Sequence, residues 1–296
     1  MLYRFLWIFF IYAFLGWCTE VSYAALVTGK FVNRGFLNGP VCPIYGFGVV
    51  IVLGCLTPLA DRLPLLFLGS VALTSALEWF TGFVLEKLFH QRWWDYSDEP
   101  FNLSGYVCLR FSIAWGLACM FVVKLLHPTV LLFIRLIPQT LGMVLLAAAG
   151  TVMAVDLTAT VSTIVKLNRR LAQIDELAAK IKEASNEFGE NLAERVLDAA
   201  ERGADWKEEL EELSFKLALR RAELAGERED WERRREERLA QAKLQLEEWR
   251  TSMQTLLDSR EFGHRRLLKA FPRLRSIDHR GALERMHRRL EGRGKP

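Results

Sequence analysis

Residues 141–170 have the sequence LGMVLLAAAGTVMAVDLTATVSTIVKLNRR. The part before Lys166 is apolar apart from Asp156 and a few hydroxyl groups, and it is long enough to cross a bilayer, which takes about 20 residues. From Lys166 onward the chain is dense in Glu, Arg, Lys, Leu and Ala, a composition typical of long soluble helices. The stretch therefore predicts two domains, a transmembrane bundle over residues 1–165 and a helical tail over residues 166–296.

Four further apolar segments precede this one and are expected to form the other membrane spans. They are residues 5–27, 43–60, 64–89 and 106–126. His127 and Pro128 are expected to close the fourth span, which leaves residues 129–138 in the membrane interface. The predicted fold class is all-α: a polytopic membrane helix bundle of about five spans, followed by a long cytoplasmic helical or coiled-coil tail.

The distribution of basic residues predicts the orientation of the bundle. Lys166, Arg169 and Arg170 directly follow the fifth span, and cytoplasmic loops carry an excess of Lys and Arg. We therefore expect a multi-pass protein of the cell membrane with a cytoplasmic C-terminal tail and, because five spans place the termini on opposite sides, an external N-terminus. The loops holding Arg34 and Arg92 then also face the cytoplasm.

The tail has apolar residues at heptad spacing, which indicates a helical hairpin or a coiled-coil dimer. Gly189 and Gly203 are expected to break it into separate helices. Residues 265–272 near the C-terminus are basic on one face and apolar on the other, a pattern that suits either anionic lipid or a partner helix. The net charge of +4, with Arg and Glu alternating along the tail, gives no reason to expect nucleic-acid binding.

Three carboxylates, Glu20, Glu78 and Asp156, lie inside the apolar runs. A charge at membrane depth costs about 2.5–3.5 kcal/mol, so such residues usually face a protein interior or a wet cavity. We expect them at one level near the bilayer centre, where they would line a solute or ion pathway. The alternative is that they form purely structural ion pairs with nearby arginines.

Two loops share a short pattern that suggests an internal repeat. Residues 36–42 are FLNGPVC and residues 101–108 are FNLSGYVC, so each places Gly-x-Val-Cys at the start of a span, after a span that contains Glu20 or Glu78. Such a repeat would be related by an axis along the membrane normal. Short matches of this kind also arise by chance.

The remaining candidates for the pathway lie in or beside these loops, where closely spaced Gly and Pro exclude a plain helix. They are Asn33, Arg34, Cys42, Tyr45, Trp94, Asp95, Tyr96, Asn102 and Arg110. A tight turn, an interfacial aromatic belt and a bundle-locking salt bridge are the structural alternatives. The five cysteines form no CxxC pair, and no Walker A, HExxH or GxSxG motif occurs. We therefore expect no catalytic residue, metal or cofactor.

Several of these motifs resemble a bacterial family called putative ABC-transporter permeases, the "type IV" group. The similar stretches are Trp17-x-x-Glu20, Asn33-Arg34-Gly35 through Gly46, Trp94-Asp95-Tyr96-Ser97 with Pro100-Phe101-Asn102, and the closing Arg-Leu-Leu-Lys-Ala-Phe-Pro through Ser276. The resemblance implies a multipass bacterial membrane protein of the transport class, with no catalytic residues to carry over. An ABC permease works with a separate ATPase subunit, which would be one partner.

Three functional hypotheses follow. The first is a transport protein whose pathway is lined by the intramembrane carboxylates and the two loops. The second is a non-transporting scaffold that acts through its coiled-coil tail. The third is a membrane-embedded enzyme acting on a lipid, with Asp95 and either Arg34 or Arg110 as the acid–base set. Expected partners are the lipid bilayer, an ATPase subunit, and another copy of the chain or a helical partner on the tail.

Overall fold

The computed structural model of the chain describes residues 1–205, 216–258 and 262–292. Within these residues, four helical stretches are long and apolar enough to cross a membrane: Leu2–Thr28, Leu63–Phe89, Leu109–Leu136 and Gln139–Asn186. A fifth apolar helix, Pro43–Leu59, is shorter. The all-α membrane architecture is therefore confirmed, while the count of five spans remains a prediction.

The helices, in chain order, are α1 (Leu2–Thr28), α2 (Pro43–Leu56), α3 (Leu63–Phe89), α4 (Leu109–Phe121), α5 (His127–Leu136), α6 (Gln139–Asp205), α7 (Lys216–Asp258), α8 (Phe262–Ala270) and α9 (Arg280–Gly292). The strands are β1 (Gln91–Arg92), β2 (Asn102–Leu103), β3 (Val107–Cys108) and β4 (Arg275–Ser276). Strands β2 and β3 form a small antiparallel hairpin between α3 and α4. Strand β1 pairs antiparallel with β4, which lies close to the C-terminus.

The fourth span does not end at His127 and Pro128, so that prediction is wrong. The helix continues from α4 through a π-helical turn over Val122–Leu126 into α5. Proline lacks the N–H for an i→i−4 bond and its ring crowds the preceding turn. A widened turn directly before Pro128 accommodates both effects without ending the helix.

The predicted breaks at Gly189 and Gly203 are also wrong, because α6 runs through both positions to Asp205. A glycine costs only about 1 kcal/mol in a helix, and the surrounding Glu, Leu, Ala and Arg residues are strong helix formers. The coiled-coil pairing of this tail remains a prediction.

The chain forms two compact units. The first comprises Met1–Arg169 and Arg260–His287, and the second comprises Arg170–Ser259 and Arg288–Pro296. This grouping differs from the predicted division after residue 165 in that the C-terminal segment belongs with the membrane helices. The apolar side of that segment, for which we expected lipid or a partner helix, is covered within the chain, since Leu267 and Leu268 are only 1% and 3% exposed.

The pairs α1–α2 and α3–α4 are built alike. Helices α1 and α3 are each 27 residues long and end at a left-handed residue, Gly29 or His90. Helices α2 and α4 each begin after a cysteine in extended conformation, Cys42 or Cys108. The two units thus share the element order that the Gly-x-Val-Cys pattern suggested.

Helices α1 and α2 pack closely because small residues lie at their contact. A Cβ atom added at Gly16 would lie 2.3 Å from Cγ of Tyr45, and one at Gly46 would lie 2.6 Å from the Phe9 ring. Such close approach of backbones is typical of helix packing in membranes. It brings Tyr45 of α2 alongside the middle of α1.

Candidate functional site

The segment joining α1 to α2, residues 29–42 (loop 1), folds back along α1. The amide of Cys42 donates a hydrogen bond of 2.9 Å to the carbonyl of Ala13, which lies about 15 residues before the end of α1, or about 22 Å along the helix. Non-helical backbone at membrane depth survives only where protein or water covers it. Loop 1 therefore returns alongside α1 as far as Ala13.

Two opposite charges hold the apex of loop 1. Asp156 of α6 accepts hydrogen bonds from the backbone amides of Asn38 (3.1 Å) and Gly39 (2.7 Å) and from the Asn38 side chain (2.7 Å). Arg266 of α8 donates to three successive carbonyls, those of Gly35, Phe36 and Leu37, at 2.9–3.0 Å. The apex of loop 1 is thus held from two sides, because Asp156 accepts hydrogen bonds from its amides and Arg266 donates hydrogen bonds to its carbonyls.

Burial lowers the pKa of the Arg266 guanidinium, an effect that the charge of Asp156 partly offsets. A desolvated cation of this kind needs good hydrogen-bonding geometry, which the planar fork of arginine supplies.

Inside loop 1, Asn33 acts as a bridge to α1. Its Oδ1 accepts from the indole N–H of Trp17 (2.8 Å) and the amide of Gly35 (3.1 Å), and its Nδ2 donates to the carbonyl of Asn38 (2.8 Å). Asn33 therefore stabilises loop 1 through both the oxygen and the nitrogen of its side-chain amide.

The carboxylate of Glu20 lies on α1 with a cation and a phenol beside it. Arg34 Nε is 3.5 Å from Oε2, and the hydroxyl of Tyr45 donates to Oε1 at 2.6 Å. The side chains of Arg34 and Glu20 are 30% and 27% exposed, so the pair is half-buried. The buried Cys42 lies within electrostatic reach of Glu20.

The segment joining α3 to α4, residues 90–108 (loop 2), carries its own internal bonds. Asn102 Oδ1 accepts from the amide of Gly105, and its Nδ2 donates to the carbonyls of Ser97 and Glu99. Trp94 donates its indole N–H to the carbonyl of Tyr106. Together with the β2–β3 hairpin, these bonds make loop 2 a self-supporting turn.

Asp95 is the charged centre of loop 2. It accepts from the amide and hydroxyl of Ser97 and forms ion pairs with Arg92 (3.7 Å) and, from β4, Arg275 (2.5 Å). Burial opposes its ionisation, but the two bonds from Ser97 and the two arginines outweigh that effect and lower the pKa of Asp95. Asp95 is therefore a carboxylate committed to holding loop 2 and β4 together.

Next to Asp95, Tyr96 reaches back to α3, where its phenol lies within electrostatic reach of Glu78. Burial and the nearby charges, first of all Glu78, raise the pKa of Tyr96. Oε2 of Glu78 is buried without a hydrogen-bond partner. Tyr96 is also within electrostatic reach of Glu20, and Tyr45 is within electrostatic reach of Tyr96. The two glutamates, Glu20 and Glu78, and the two tyrosines, Tyr45 and Tyr96, thus form one polar cluster between the two helix pairs.

Aromatic rings surround this polar cluster. The ring of Tyr45 meets Trp115 edge-on with centroids 5.7 Å apart, and Tyr96 stacks on Phe111 at 4.9 Å. Aromatic faces beside carboxylates suit cations, because both present negative charge.

The structure separates the predicted site residues into groups. Glu20, Glu78, Arg34, Tyr45, Tyr96 and Cys42 belong to the polar cluster. Asp156 and Asn33 anchor loop 1, whereas Trp94, Asp95 and Asn102 hold loop 2 together. Arg110 is exposed, with its guanidinium over the Phe111 ring at 5.8 Å. Among the described residues, no hydrogen bond or ion pair joins Asp95 to Arg34 or Arg110, so the proposed acid–base set is not assembled.

Residues 262–279, here called the C-terminal strap, contact both loops and α6. Phe271 packs edge-on against Trp93 of loop 2 at 4.8 Å, and the amide of Ile277 donates to the carbonyl of His90. Nε2 of the buried His264 lies 3.2 Å from the carbonyl of Thr163. With the bonds of Arg266 and Arg275, the strap ties loop 1, loop 2 and α6 together.

Sequence reasoning missed Arg266 and Arg275 as functional neighbours of the loops. The one signal was the two-faced character of residues 265–272, whose apolar side required a cover. It did not indicate that this segment packs against loop 1, which lies about 230 residues earlier in the same chain.

Metal-ligating geometry is not found in the described part of the chain, where no three His, Cys, Asp or Glu residues are placed to hold an ion. The five cysteines are all free thiols.

Comparison with known proteins identifies the chain by one family model. No curated protein and no solved structure matches it. The family model matches residues 7–161, which is more than half of the chain and includes α1 to α5, both loops and the start of α6. Together with its long apolar helices, this makes the chain a membrane protein of transport type that belongs to the family described as Putative ABC-transporter type IV.

Proposed function

We propose that the chain carries a solute or coupling ion along the polar cluster between its two helix pairs, and that Glu78 is the group that binds it. The observation behind this proposal is the buried, unpartnered Oε2 of Glu78. Glu20 has Arg34 as a counter-charge at 3.5 Å, whereas no Lys or Arg of the described residues forms an ion pair with Glu78. A buried carboxylate left without a partner is costly and is usually retained for function.

The chemistry of the cluster favours a cation or a proton. One positive and two negative side chains leave a net negative charge, and Tyr45, Tyr96 and Trp115 add aromatic surface beside it. Cys42, at the start of α2, belongs to the same pathway in this proposal. The motif loops 1 and 2 form its entrance.

The entrance would face the cytoplasm, with the N-terminus outside and the tail inside the cell membrane. Lys166, Arg169 and Arg170, which follow the membrane part of α6, support this orientation. A fluorescent protein fused after Pro296 should fluoresce, whereas an export-dependent phosphatase fused there should remain inactive. The opposite pair of results would reverse the orientation.

The tail, in this proposal, recruits a separate ATPase subunit or a second copy of the chain. The heptad spacing of its apolar residues supports helix pairing. The full-length protein should co-purify with ATP hydrolysis activity, and changing Leu239 and Leu246 together to Asn should remove it while the protein still reaches the membrane. ATP hydrolysis that remains with this double variant would contradict recruitment through these positions.

Transport is tested with the full-length protein reconstituted in liposomes. Proton entry is followed with pyranine trapped inside, and rubidium entry is followed in parallel with a radioactive tracer. We expect flux of at least one ion above that of empty liposomes, and a rate about tenfold lower for Glu78→Gln, since the amide keeps the shape but cannot take up a proton or balance a cation.

Asp98→Asn is the matched control, because Asp98 is an exposed carboxylate of loop 2 outside the polar cluster. It should transport as the wild type does. A wild-type protein that carries neither ion, or a Glu78→Gln variant as active as the wild type, would contradict the proposal.

A non-transporting scaffold is the second candidate, because Asp156 and Asp95 have both oxygens engaged in holding the loops. If all embedded carboxylates have only this role, Glu78→Gln should stabilise the protein, since it removes an unpaired buried charge. A thermal midpoint that rises in Glu78→Gln, together with a wild type that carries neither ion, would favour the scaffold.

A further inference from the structure

We propose that the C-terminal strap is a latch on the polar cluster: docking of the strap and ion occupancy of Glu20 and Glu78 are coupled, each weakening the other. This inference rests on the proposed function. It arises from the way in which each loop connects one glutamate to the strap through two adjacent residues.

In loop 1 the adjacent residues are Arg34 and Gly35. The side chain of Arg34 pairs with Glu20 at 3.5 Å, and the carbonyl of Gly35 accepts from Arg266 of the strap at 3.0 Å. The carbonyl of Gly35 lies in the peptide plane that directly follows the one shared by Arg34 and Gly35. A displacement of the Arg34 backbone away from Glu20 therefore moves the chain segment whose carbonyl Arg266 binds.

In loop 2 the adjacent residues are Asp95 and Tyr96. Asp95 pairs with Arg275 of the strap, and the phenol of Tyr96 lies within electrostatic reach of Glu78. The carboxylate of Asp95 is 5% exposed, so it has little freedom to follow a displaced backbone. Loop 2 thus repeats the arrangement of loop 1 with different residues: one neighbour contacts the strap and the other contacts the glutamate.

The contacts of the strap favour two discrete states over gradual loosening. Arg266 is half-buried and donates to three carbonyls at once, so partial withdrawal leaves both the cation and the carbonyls unsatisfied. The apolar residues Leu267, Leu268 and Ala270 lose their cover in the same step. Closely packed contacts of this kind switch between arrangements and do not deform continuously.

The direction of the coupling follows from the charges. A cation or proton on Glu20 competes with Arg34 for the same carboxylate, and one on Glu78 neutralises the charge that the phenol of Tyr96 faces. Both events release the loop residue that neighbours a strap contact. Because coupling between two binding equilibria is reciprocal, removing the strap should equally open the cluster.

The first test measures how loss of strap contacts opens the cluster. Cys42 and Cys108 are 4% and 0% exposed and lie at the ends of loops 1 and 2, whereas Cys55 is exposed and serves as a reference. Maleimide labelling of each cysteine in the full-length protein is followed by mass spectrometry. Relative to Cys55, Arg266→Gln should accelerate labelling of Cys42 about a hundredfold, and Arg275→Gln should accelerate labelling of Cys108 about fivefold.

Arg265→Gln and Arg273→Gln are the matched controls. Both arginines are exposed on the strap, and in the described part of the chain neither forms a hydrogen bond or ion pair with another residue. They should leave labelling unchanged. Arg266→Lys keeps the charge but loses the planar fork, and it should accelerate Cys42 labelling to an intermediate degree.

The second test is the reciprocal one. Glu20→Gln and Glu78→Gln imitate the occupied carboxylates and do not touch the strap. They should increase deuterium exchange in a peptide covering residues 274–279, where the amide of Ile277 is bonded to His90, while Asp98→Asn should not.

Two results would overturn the latch. One is faster exchange in the strap of Arg266→Gln with no change at Cys42. The other is labelling of Cys119, which is 9% exposed in the apolar core, rising in step with Cys42, because this would indicate general unfolding. A wild type that carries no ion would contradict the transport proposal alone, since the labelling and exchange measurements require no transported substrate.

Discussion

Loop 1 and loop 2 occupy equivalent places in the two helix pairs but are stabilised in opposite ways. Loop 2 contains a β-hairpin, an asparagine that bonds three backbone groups of the same loop, and an Asp95–Ser97 turn. Loop 1 contains no strand, and its apex is held from outside by Asp156 of α6 and Arg266 of α8.

The difference shows that two loops at equivalent positions can be stabilised by different contacts, one by bonds within the loop and the other by bonds from distant helices. Loop 2 would fold from its own sequence, since turn residues and a hairpin are local devices. Loop 1 depends on residues more than 100 positions away. A lesion in the strap should therefore affect loop 1 much more than loop 2.

The largest effect is expected from Arg266→Ala. This substitution leaves three carbonyls of loop 1 without donors. Each lost charged hydrogen bond costs about 1–3 kcal/mol, and the three losses are not fully additive. The opening free energy of loop 1 should therefore fall by about 3–4 kcal/mol. Arg275→Ala should cost loop 2 only about 1 kcal/mol, because Arg275 is half-exposed and Asp95 retains Arg92.

Labelling rates of Cys42 and Cys108 measure the two opening free energies separately, at about 1.4 kcal/mol for each tenfold change. Equal effects on both cysteines would show that the loops are not stabilised differently.

Replacing one glycine in each loop should destabilise loop 2 more than loop 1, which is the reverse of the order expected for the two arginines. Gly105 has φ = 71°, and an added Cβ would lie 2.5 Å from Ser97 Oγ and 2.7 Å from Asp95 Oδ1. Gly105→Ala should therefore destabilise loop 2 by about 2–3 kcal/mol. At Gly39 the nearest atom to such a Cβ is Asp156 Oδ2 at 3.2 Å, so Gly39→Ala should cost loop 1 about 1 kcal/mol. Thermal midpoints of the two variants should differ accordingly, and a lower midpoint for Gly39→Ala would contradict the comparison.

The sequence predicted the parts of this arrangement that depend on local chemistry. Apolar runs of sufficient length indicated the helices α1, α3 and α6, and Gly-x-Val-Cys with its preceding glutamate indicated two similar units. The turns around Asn102 and Asp95 also follow from residues that favour turns.

What the sequence could not predict depends on contacts between distant residues. The role of Asp156 as an anchor for loop 1 requires knowing that Asn38 and Gly39 lie beside α6. The continuation of the helix through Pro128 depends on a π-helical turn with no sequence signal of its own. The docking of the strap could not be distinguished from lipid or partner binding, since all three cover an apolar face.

The two bridging asparagines should give a smaller difference than the glycines. Asn33→Ala removes three hydrogen bonds and leaves the indole N–H of half-buried Trp17 unpaired, so we expect a loss of about 2 kcal/mol in the opening free energy of loop 1. Asn102→Ala also removes three bonds, but its site is exposed and water replaces the partners, so about 1 kcal/mol is expected for loop 2. The two side chains accept hydrogen bonds from the amides of Gly35 and Gly105, so deuterium exchange at these amides measures each effect. A larger change at Gly105 than at Gly35 would contradict the expected difference between the loops.

The smallest effect is the dependence of loop 2 on acid. Because the folded pKa of Asp95 is lowered, its contribution to stability is complete above its ordinary pKa of about 4 and is lost as the pH falls through the lowered value. The wild-type thermal midpoint should therefore fall below about pH 4 by more than that of Asp95→Asn, which has no such carboxylate to protonate. The difference between the two midpoints should be constant from pH 7 to pH 5 and shrink below about pH 4. Deuterium exchange at Gly35 of loop 1 should respond to that protonation less than exchange at Gly105 of loop 2, since Asp95 and its partners Arg92 and Ser97 belong to loop 2. A difference that instead shrinks between pH 7 and pH 5 would mean that the pKa of Asp95 is raised, and its role as the ionised anchor of β4 would be wrong.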